Sequence, residues 1–488
     1  MPQSQGADLG VRGEWTWNGI HRDSRNSDFS PHEIQPDLKV ENAVLDGSAV
    51  LFGPAIGPEQ RRYVTTGQGG GASHLHCFSA KGELLHETSE AKGQPSPRVV
   101  PDVPLFDRDG RLFVTDDSHV WCYDADLDLV WRAEIEALGA TRPFISTILT
   151  GKGRIGGVTM DGQIVLLDRS TGQLATDIVQ LPVGEAFAAP PAMPGLWHGG
   201  LMDLSLCAEI EPGFFGHGFA VTCSPAVNPG DGRIFVPFAD SAKGISRLAA
   251  IDEAESCAEI AWLSEIPGVC TSSPAISPDG RRVFTVNGRG IMHAFDCANG
   301  SLLWTREGCG MAASPTIDDL GNVYSAGRDP ATGSSQLLAM DGRTGKVIWQ
   351  SGFDELARKL LPPRPALAVF PDPHSVGVAN SVPTVTPEHV LLVVNLGYDF
   401  VPPGRTGRLN QPHIPVLLVL ARSTGKLISF TPLRDTSEAV IVVGEDRRIH
   451  VCHAALTSSV FHYGIDPQLP ESHRGPLRPV GGYTTLSF

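Results

Sequence analysis

Two histidines stand at matching distances ahead of proline-led strands. "FFGHGFAVTCSP" puts His217 eight residues before Pro225, and "PHSVGVANSVP" puts His374 nine before Pro383. Imidazole titrates near neutral pH, so a converging pair would work as acid and base on a bound molecule. "GYDFVPPGRTG" adds Tyr398, Asp399 and Arg405 on a third long segment. Polar residues also recur just ahead of the strand starts: Asp102, Arg142, Thr222, Thr271, Asn380 and Glu438. The expectation is a catalytic set of His217, His374, Tyr398 and Asp102. Arg142, Thr222, Thr271, Asn380, Asp399, Arg405 and Glu438 are expected to orient a polar ligand. No metal set is expected, because "HLH" at 74 to 76 has no evident third ligand. No GxGxxG reads as a strand-to-helix nucleotide loop, no GxxxxGK[ST] occurs, and "GQGGGAS" reads as a hairpin connection.

These residues need a scaffold that brings distant segments to one place, and the chain supplies one by repetition. "AMDGRTGKVIWQ" (339 to 350) is echoed at "AFDCANGSLLWT" (294 to 305), "LLDRSTGQLATD" (166 to 177) and "VLARSTGKLISF" (419 to 430). The turn landmark falls at Ser79, Asp124, Asp168, Asp252, Asp296, Asp341, Ala421 and Asp466, with spacings of 45, 44, 84, 44, 45, 80 and 45. A second landmark, a Pro-led strand and hairpin, also counts eight. Each unit reads as four short strands, such as "SPTID", "NVYSAG", "QLLAMD" and "KVIWQ". A four-stranded sheet with two apolar faces must stack on copies of itself, and radial stacking that closes buries every face. The fold expected is all-β: an eight-bladed β-propeller of four-stranded antiparallel blades, one domain over 1–488 with repeats at about 40–466. The Trp is expected to fill the gap between neighbouring sheets. The last unit, "EAVIVVGED", "RRIHVCHAA" and "SVFHYGID", lacks a fourth strand. "GEWTWNGI" or "GGYTTLSF", from the terminal segments 1–39 and 467–488, is expected to close the ring and cover its edge.

Composition narrows the partners. Net charge is −16, which makes a wide positive field for nucleic acid improbable. No run of about 18 apolar residues exists to span a bilayer, and "MPQSQGADLG" does not read as a signal peptide. Nine cysteines without a CxxC pair read as buried thiols. The expectation is a soluble cytoplasmic protein that handles a small organic molecule, with no nucleic acid and no membrane.

The two near-doubled spacings locate the function. The excess at 184–221 and 353–380 lies between blades, and that at 397–415 lies between second and third strands. In an up-and-down blade both kinds of loop emerge on one face, so one mouth of the ring carries the elaboration and the ligand. His76, His293 and His462 fall at third-strand positions and read as packing between blades.

"AMDGRTGKVIWQ" and "AFDCANGSLLWT", preceded by "SP" strands, resemble the repeat shared by pyrroloquinoline-quinone dehydrogenases and by the outer-membrane assembly propeller of the BamB type, both eight-bladed. "WTWNGIHRDSRNSDFSP" resembles the Trp-led N-terminal segment of that superfamily. The resemblance implies the fold and offers a quinone-dependent dehydrogenase with calcium as one function. The dehydrogenases resembled often hold an adjacent cysteine pair and a Glu/Asn/Asp calcium set; this chain has no adjacent pair, and no such set maps onto Asp102, Asn380 or Glu438. The main expectation is therefore an acid/base enzyme of lyase, isomerase or hydrolase type without an organic cofactor. A non-catalytic scaffold with a protein partner on the loop face is the third reading.

Overall fold

Each repeat folds as its strand period dictates. In blade 5, Ala275–Ile276, Arg282–Val286, Met292–Asp296 and Leu302–Arg306 pair in chain order, all antiparallel. The middle strands are buried on both faces, whereas the fourth alternates between half-buried and exposed. This is what a sheet sandwiched between two neighbours requires, with only its outer edge wet. The structure, a computed structural model, describes residues 17–66, 75–89, 93–95, 102–116, 118–184, 219–310, 313–361, 372–378, 381–400 and 409–488.

Eight such sheets form the β-propeller. The inner strands of blades 1 to 8 are Ala55–Ile56, Leu105–Phe106, Ile148–Leu149, Ala226–Val227, Ala275–Ile276, Thr316–Ile317, Thr384–Val385 and Val442–Val443. The core lies between blades: Phe284, Val286 and Ala294 of blade 5 pack with Ile317, Val323 and Met340 of blade 6. The recurring Trp does more than fill this gap, because it reaches the next blade's turn. The indole Nε1 atoms of Trp131, Trp262, Trp304 and Trp349 donate to Arg169 O, Cys297 O, Gly342 O and Arg422 O, at 3.1, 3.1, 3.1 and 2.7 Å. Gly345 lies against the Trp304 ring at positive φ, where a Cβ would come within 2.7 Å of it.

Ring closure departs from the expectation in one respect. "SVFHYGID" is not a strand: Leu456–Ser459 is helical and Val460–Ile465 continues as a wider π turn. Leu456, Val460, Phe461 and Ile465 recur at helical spacing, which outweighs the strand-like local composition. Asp466 is therefore a buried residue of this cap and not a blade turn, and His462 is not a third-strand packing residue. The third strand of blade 8 comes from Gly482–Ser487, within "GGYTTLSF", and the fourth from Lys39–Val44, so both termini close the ring. "GEWTWNGI" supplies neither.

Among the described residues, blade 7 is enlarged largely by strand. His389–Phe400 and Leu409–Ala421 run on well past the blade as one long hairpin, so most of 397–415 is sheet. Asp372–Gly377 pairs with the extension, as Ser375↔Gly397 and Gly377↔Asn395, giving a five-stranded sheet. This pairing sets the described part of the inter-blade excess, Asp372–Gly377, beside the hairpin extension.

The segment that opens with Trp17 has a role that composition did not disclose: it threads the hub. The second residue of an inner strand has no inward neighbour for its N–H, and this segment supplies one blade after blade. Ile56, Phe106, Val227, Ile276, Ile317 and Val385 donate to the carbonyls of Trp17, Asn18, Ser24, Arg25, Ser27 and Asp28, at 2.6 to 3.1 Å. Asn26 Nδ2 reaches Ser224 O, Pro225 O and Pro274 O. Three non-glycine residues, Arg22, Asn26 and Asp28, hold positive φ to make the bends. Buried backbone groups demand partners, which is why this segment sits where it does. Eight described cysteines are free, seven of them buried, and among the described residues no helix is long and apolar enough to cross a membrane.

Candidate functional site

Above the hub segment, each blade sends the residues ahead of its inner strand toward the axis, and together they wall a cavity of about 190 Å³. Its floor is Ile20 and His21 of the hub segment. Leu51, Phe52, Phe144, Phe219, Val440 and Leu456 make much of the wall apolar, and Thr222, Ser224, Thr271, Ser273 and Ser314 add hydroxyls. Asp102, Asp116 and Glu438 bring carboxyls.

The carboxyls are held very differently. Asp116 spends both oxygens on the protein, accepting from Trp121 Nε1 and from the backbone of Ser118 and His119. Asp102 accepts Val103 N–H on Oδ1, and Thr147 N–H at 2.5 Å on Oδ2. Burial pushes its carboxyl up to about 7, since three hydrogen bonds do not offset the loss of water around the charge. Glu438 Oε1 accepts Thr457 N–H and Oγ1–H, at 3.1 and 2.7 Å, whereas its buried Oε2 has no partner among the described residues. Burial raises this carboxyl too.

At the floor, His21 Nδ1 lies 2.8 Å from Asp28 Oδ2, and both residues belong to the hub segment. His21 is 5% exposed and Asp28 fully buried, with burial raising the Asp28 carboxyl. The contact leaves His21 Nε2 without a hydrogen-bond partner among the described residues. His21, Ile20 and Ser224 also line a smaller cavity beside blade 3, whose Leu149 N–H the hub segment does not take up among the bonds described. Sequence reasoning missed His21 and Asp28. The signal was a polar run, "HRDSRNSD", inside a segment otherwise read as an edge cover.

The expected site assembles in part. Asp102, Thr222, Thr271 and Glu438 converge on the cavity, as does Phe52. Arg142 is exposed and does not line it. Tyr398 and Asp399 are buried in the long hairpin of blade 7, Tyr398 edge-on to His413 at 4.6 Å, away from the cavity wall. They stay there because the segment is sheet and its side chains are fixed by cross-strand packing. His374 has its backbone in Asp372–Gly377, paired with that same hairpin. His217, Asn380 and Arg405 lie outside the described residues. His76 and His293 are buried in third strands, each stacked on the Phe two residues along its own strand, Phe78 and Phe295. Among the described residues, no group of three or more His, Cys, Asp or Glu could hold a metal ion.

The family description "Outer membrane protein assembly factor BamB" matches residues 244–369. Among curated proteins, none matches. Of solved structures, a quinohemoprotein alcohol dehydrogenase, ADHIIG from Pseudomonas putida HK5, superposes with a TM-score of 0.60 at 13% identity, covering 98% of this chain and 82% of that one. A europium-containing methanol dehydrogenase gives 0.59 at 12% identity over 98% of both chains. BamB from Moraxella catarrhalis is more distant, at 0.47 and 12% identity, covering 92% of this chain and 98% of its own. The chain thus shares the eight-bladed β-propeller fold of these two dehydrogenases. These likenesses overturn the expectation of an acid/base lyase, isomerase or hydrolase built on His217 and His374. The two structures named above with 98% of this chain covered are dehydrogenases, one named for its quinone and haem, the other for a lanthanide. The expectation of no cofactor falls with it.

Proposed function

We propose that the protein is an oxidoreductase that acts on a small organic molecule in the funnel, of the quinone-dependent dehydrogenase type. What carries the reading is the cavity itself: a pocket on the ring's axis with aromatic walls and inward hydroxyls, in a fold matched end to end by two dehydrogenases. The described wall suits a planar, oxygen-bearing ring. Phe52, Phe144 and Leu51 offer apolar faces, and the hydroxyls of Thr271, Ser273 and Ser314 with the Glu438 carboxyl offer donors to ring oxygens. No Lys or Arg lines the cavity among the described residues, so a cofactor with several carboxylates would draw its counter-charge from elsewhere. A bound quinone would supply the two-electron acceptor that no side chain here provides.

The chain's own residues have separable roles under this reading. Phe52, Phe219 and Leu456 exclude water. Glu438 Oε2–H donates to an oxygen of the bound molecule, held in place by Thr457. His21 takes or returns a proton at Nε2, with Asp28 fixing the ring by its contact at Nδ1. The test is addition of pyrroloquinoline quinone, with and without Ca²⁺, to the purified full chain. Quinone absorbance is followed through a desalting step, and reduction of an artificial electron acceptor is followed with primary alcohols. Saturable uptake near one quinone per chain, with alcohol-dependent dye reduction, is expected. Failure of uptake under both conditions would remove the proposal.

A further inference from the structure

The cavity wall is two-sided. In an eight-fold ring, blades 4, 5 and 6 stand opposite blades 8, 1 and 2. Blade 4 presents Thr222 and Ser224, blade 5 Thr271 and Ser273, and blade 6 Ser314. Across from them, blades 8 and 1 present Ala439, Val440, Leu51 and Phe52 beside Glu438, and blade 2 presents Asp102, Thr115 and Asp116. The division holds at one level of the funnel. Two residues ahead of the inner strands, blades 3 to 6 carry Ser146, Ser224, Ser273 and Ser314, whereas the same position in blades 7, 8, 1 and 2 is Val382, Val440, Gly53 and Val103.

The serines are wired so that donation remains their open capacity. Ser224 N–H donates to Ser273 Oγ at 3.1 Å, and Ser273 N–H donates to Ser314 Oγ at 3.1 Å. A hydroxyl has one hydrogen and two lone pairs, and each of these oxygens is already an acceptor. The hydrogens of Ser273 and Ser314 meet no acceptor among the described residues. Ser224 shares one proton with Ser146, Oγ to Oγ at 2.5 Å. One level higher, the hydroxyls of Thr222 and Thr271 make no hydrogen bond among the described residues. Ser273 and Ser314 are 6% and 5% exposed, and buried donors without acceptors are costly to keep. Such a row asks for an oxygen acceptor. The carboxyls in the cavity do not bar a negatively charged one. Asp116 is saturated by its own loop, Asp102 is engaged by Val103 and Thr147, and Glu438 lies on the opposite blade.

We propose that the funnel takes an amphipathic organic molecule, its carboxylate or carbonyl end against the hydroxyls of blades 4 to 6 and its hydrocarbon body against Leu51, Phe52 and Val440. This names a substrate class for the dehydrogenase reading and rests on its assignment of the funnel as the ligand site, without using the quinone.

The test uses the full chain with neither quinone nor metal. Octanoate, which has both a head and a body, is titrated by calorimetry and by saturation-transfer NMR alongside succinate, which has only heads. Octanoate is expected to bind saturably and succinate at least about tenfold more weakly. Thr271→Val, which breaks no described hydrogen bond, should weaken octanoate about threefold to tenfold, and Thr271→Val with Ser273→Ala by about tenfold or more. Phe52→Ser should also weaken it. The single valine variant keeps the test valid if loss of Ser273 harms folding. Absence of octanoate binding, equal binding of succinate, or octanoate affinity unchanged in Thr271→Val would overturn the proposal. Octanoate behaving as expected with no quinone uptake would sink the redox reading and leave this site standing; the reverse result would do the opposite.

Discussion

Replacing Trp17 tests whether the hub segment holds the ring together. Its side chain is fully buried and clusters with Ile56 of blade 1, Ala313 of blade 6, Val382 of blade 7, and Val440 and Val442 of blade 8. A buried indole removes about 150–250 Å² from water, which at about 25 cal/mol/Å² sets a ceiling of about 4–6 kcal/mol. Truncations of this kind measure about 3–5 kcal/mol. One term offsets this: Nε1 has no partner among the described residues, so truncation also releases a buried donor that costs the native state about 1–3 kcal/mol. Trp17→Ala should therefore lose about 2–4 kcal/mol. Trp17→Phe keeps most of the contact and drops the orphan donor, so it should fall within about 1 kcal/mol of the parent. Urea unfolding followed by far-ultraviolet circular dichroism reads both. With a slope near 3 kcal/mol/M, the alanine variant's midpoint should drop by about 1 M. A drop below about 0.3 M would refute the hub placement. An equal loss in the phenylalanine variant would refute the claim that the indole N–H is unpaired.

Asn26 carries the same segment across blades 4 and 5. Asn26→Gly, which keeps the positive φ but loses the bonds to three carbonyls, should cost about 1–2 kcal/mol in the same assay, and Asn26→Ala about 1–2 kcal/mol more from backbone strain. Gly345→Ala, at φ +68° and against Trp304, should lower the thermal midpoint clearly more than Gly333→Ala, where φ is +73° but nothing lies within 4 Å. The difference isolates the Trp–Gly docking between blades. Asp102 predicts a pH signature. Its carboxyl stands at about 7 in the fold against an ordinary 3.8, so between these values the native state binds the proton that the unfolded chain releases. Stability from this group is present below about pH 4 and lost as pH rises through about 7, by at most about 4 kcal/mol. Asp102→Ala should flatten the fall in urea midpoint between pH 5 and 8, and parallel curves would contradict the assignment.

Much of the ring was legible because its signals are local. Period-two alternation, Gly at the turn and Trp after it marked the repeats, and "GGYTTLSF" was named as a closing segment. The cavity was half legible. Asp102, Thr222, Thr271 and Glu438 could be placed at the funnel because each sits three or four residues ahead of an inner strand. Tyr398 and Asp399 could not, since nothing local distinguishes a long loop from a hairpin that keeps pairing past its blade. "SVFHYGID" misled for a related reason: four apolar residues in a short run satisfy both strand and helix periods, and burial of Leu456 and Phe461 under the extended blade 7 hairpin and the funnel wall decided between them. The His–Asp pair at the floor was invisible because its segment has no repeat partner to be compared with.

By itself, then, the order of residues determined that this protein is a closed stack of like sheets, because each repeat carries its own strand and turn chemistry and cannot bury both faces alone. Only the tertiary structure decided that the polar stretch after Trp17 fills the hub, that both termini complete the last blade, and that the serines two residues ahead of the inner strands fall in one half of the ring and the valines in the other. Those features arise from single residues contributed by separate blades and by a segment far from them in the chain. Their meeting depends on which backbone groups the finished ring leaves unpaired, and no local stretch contains that information.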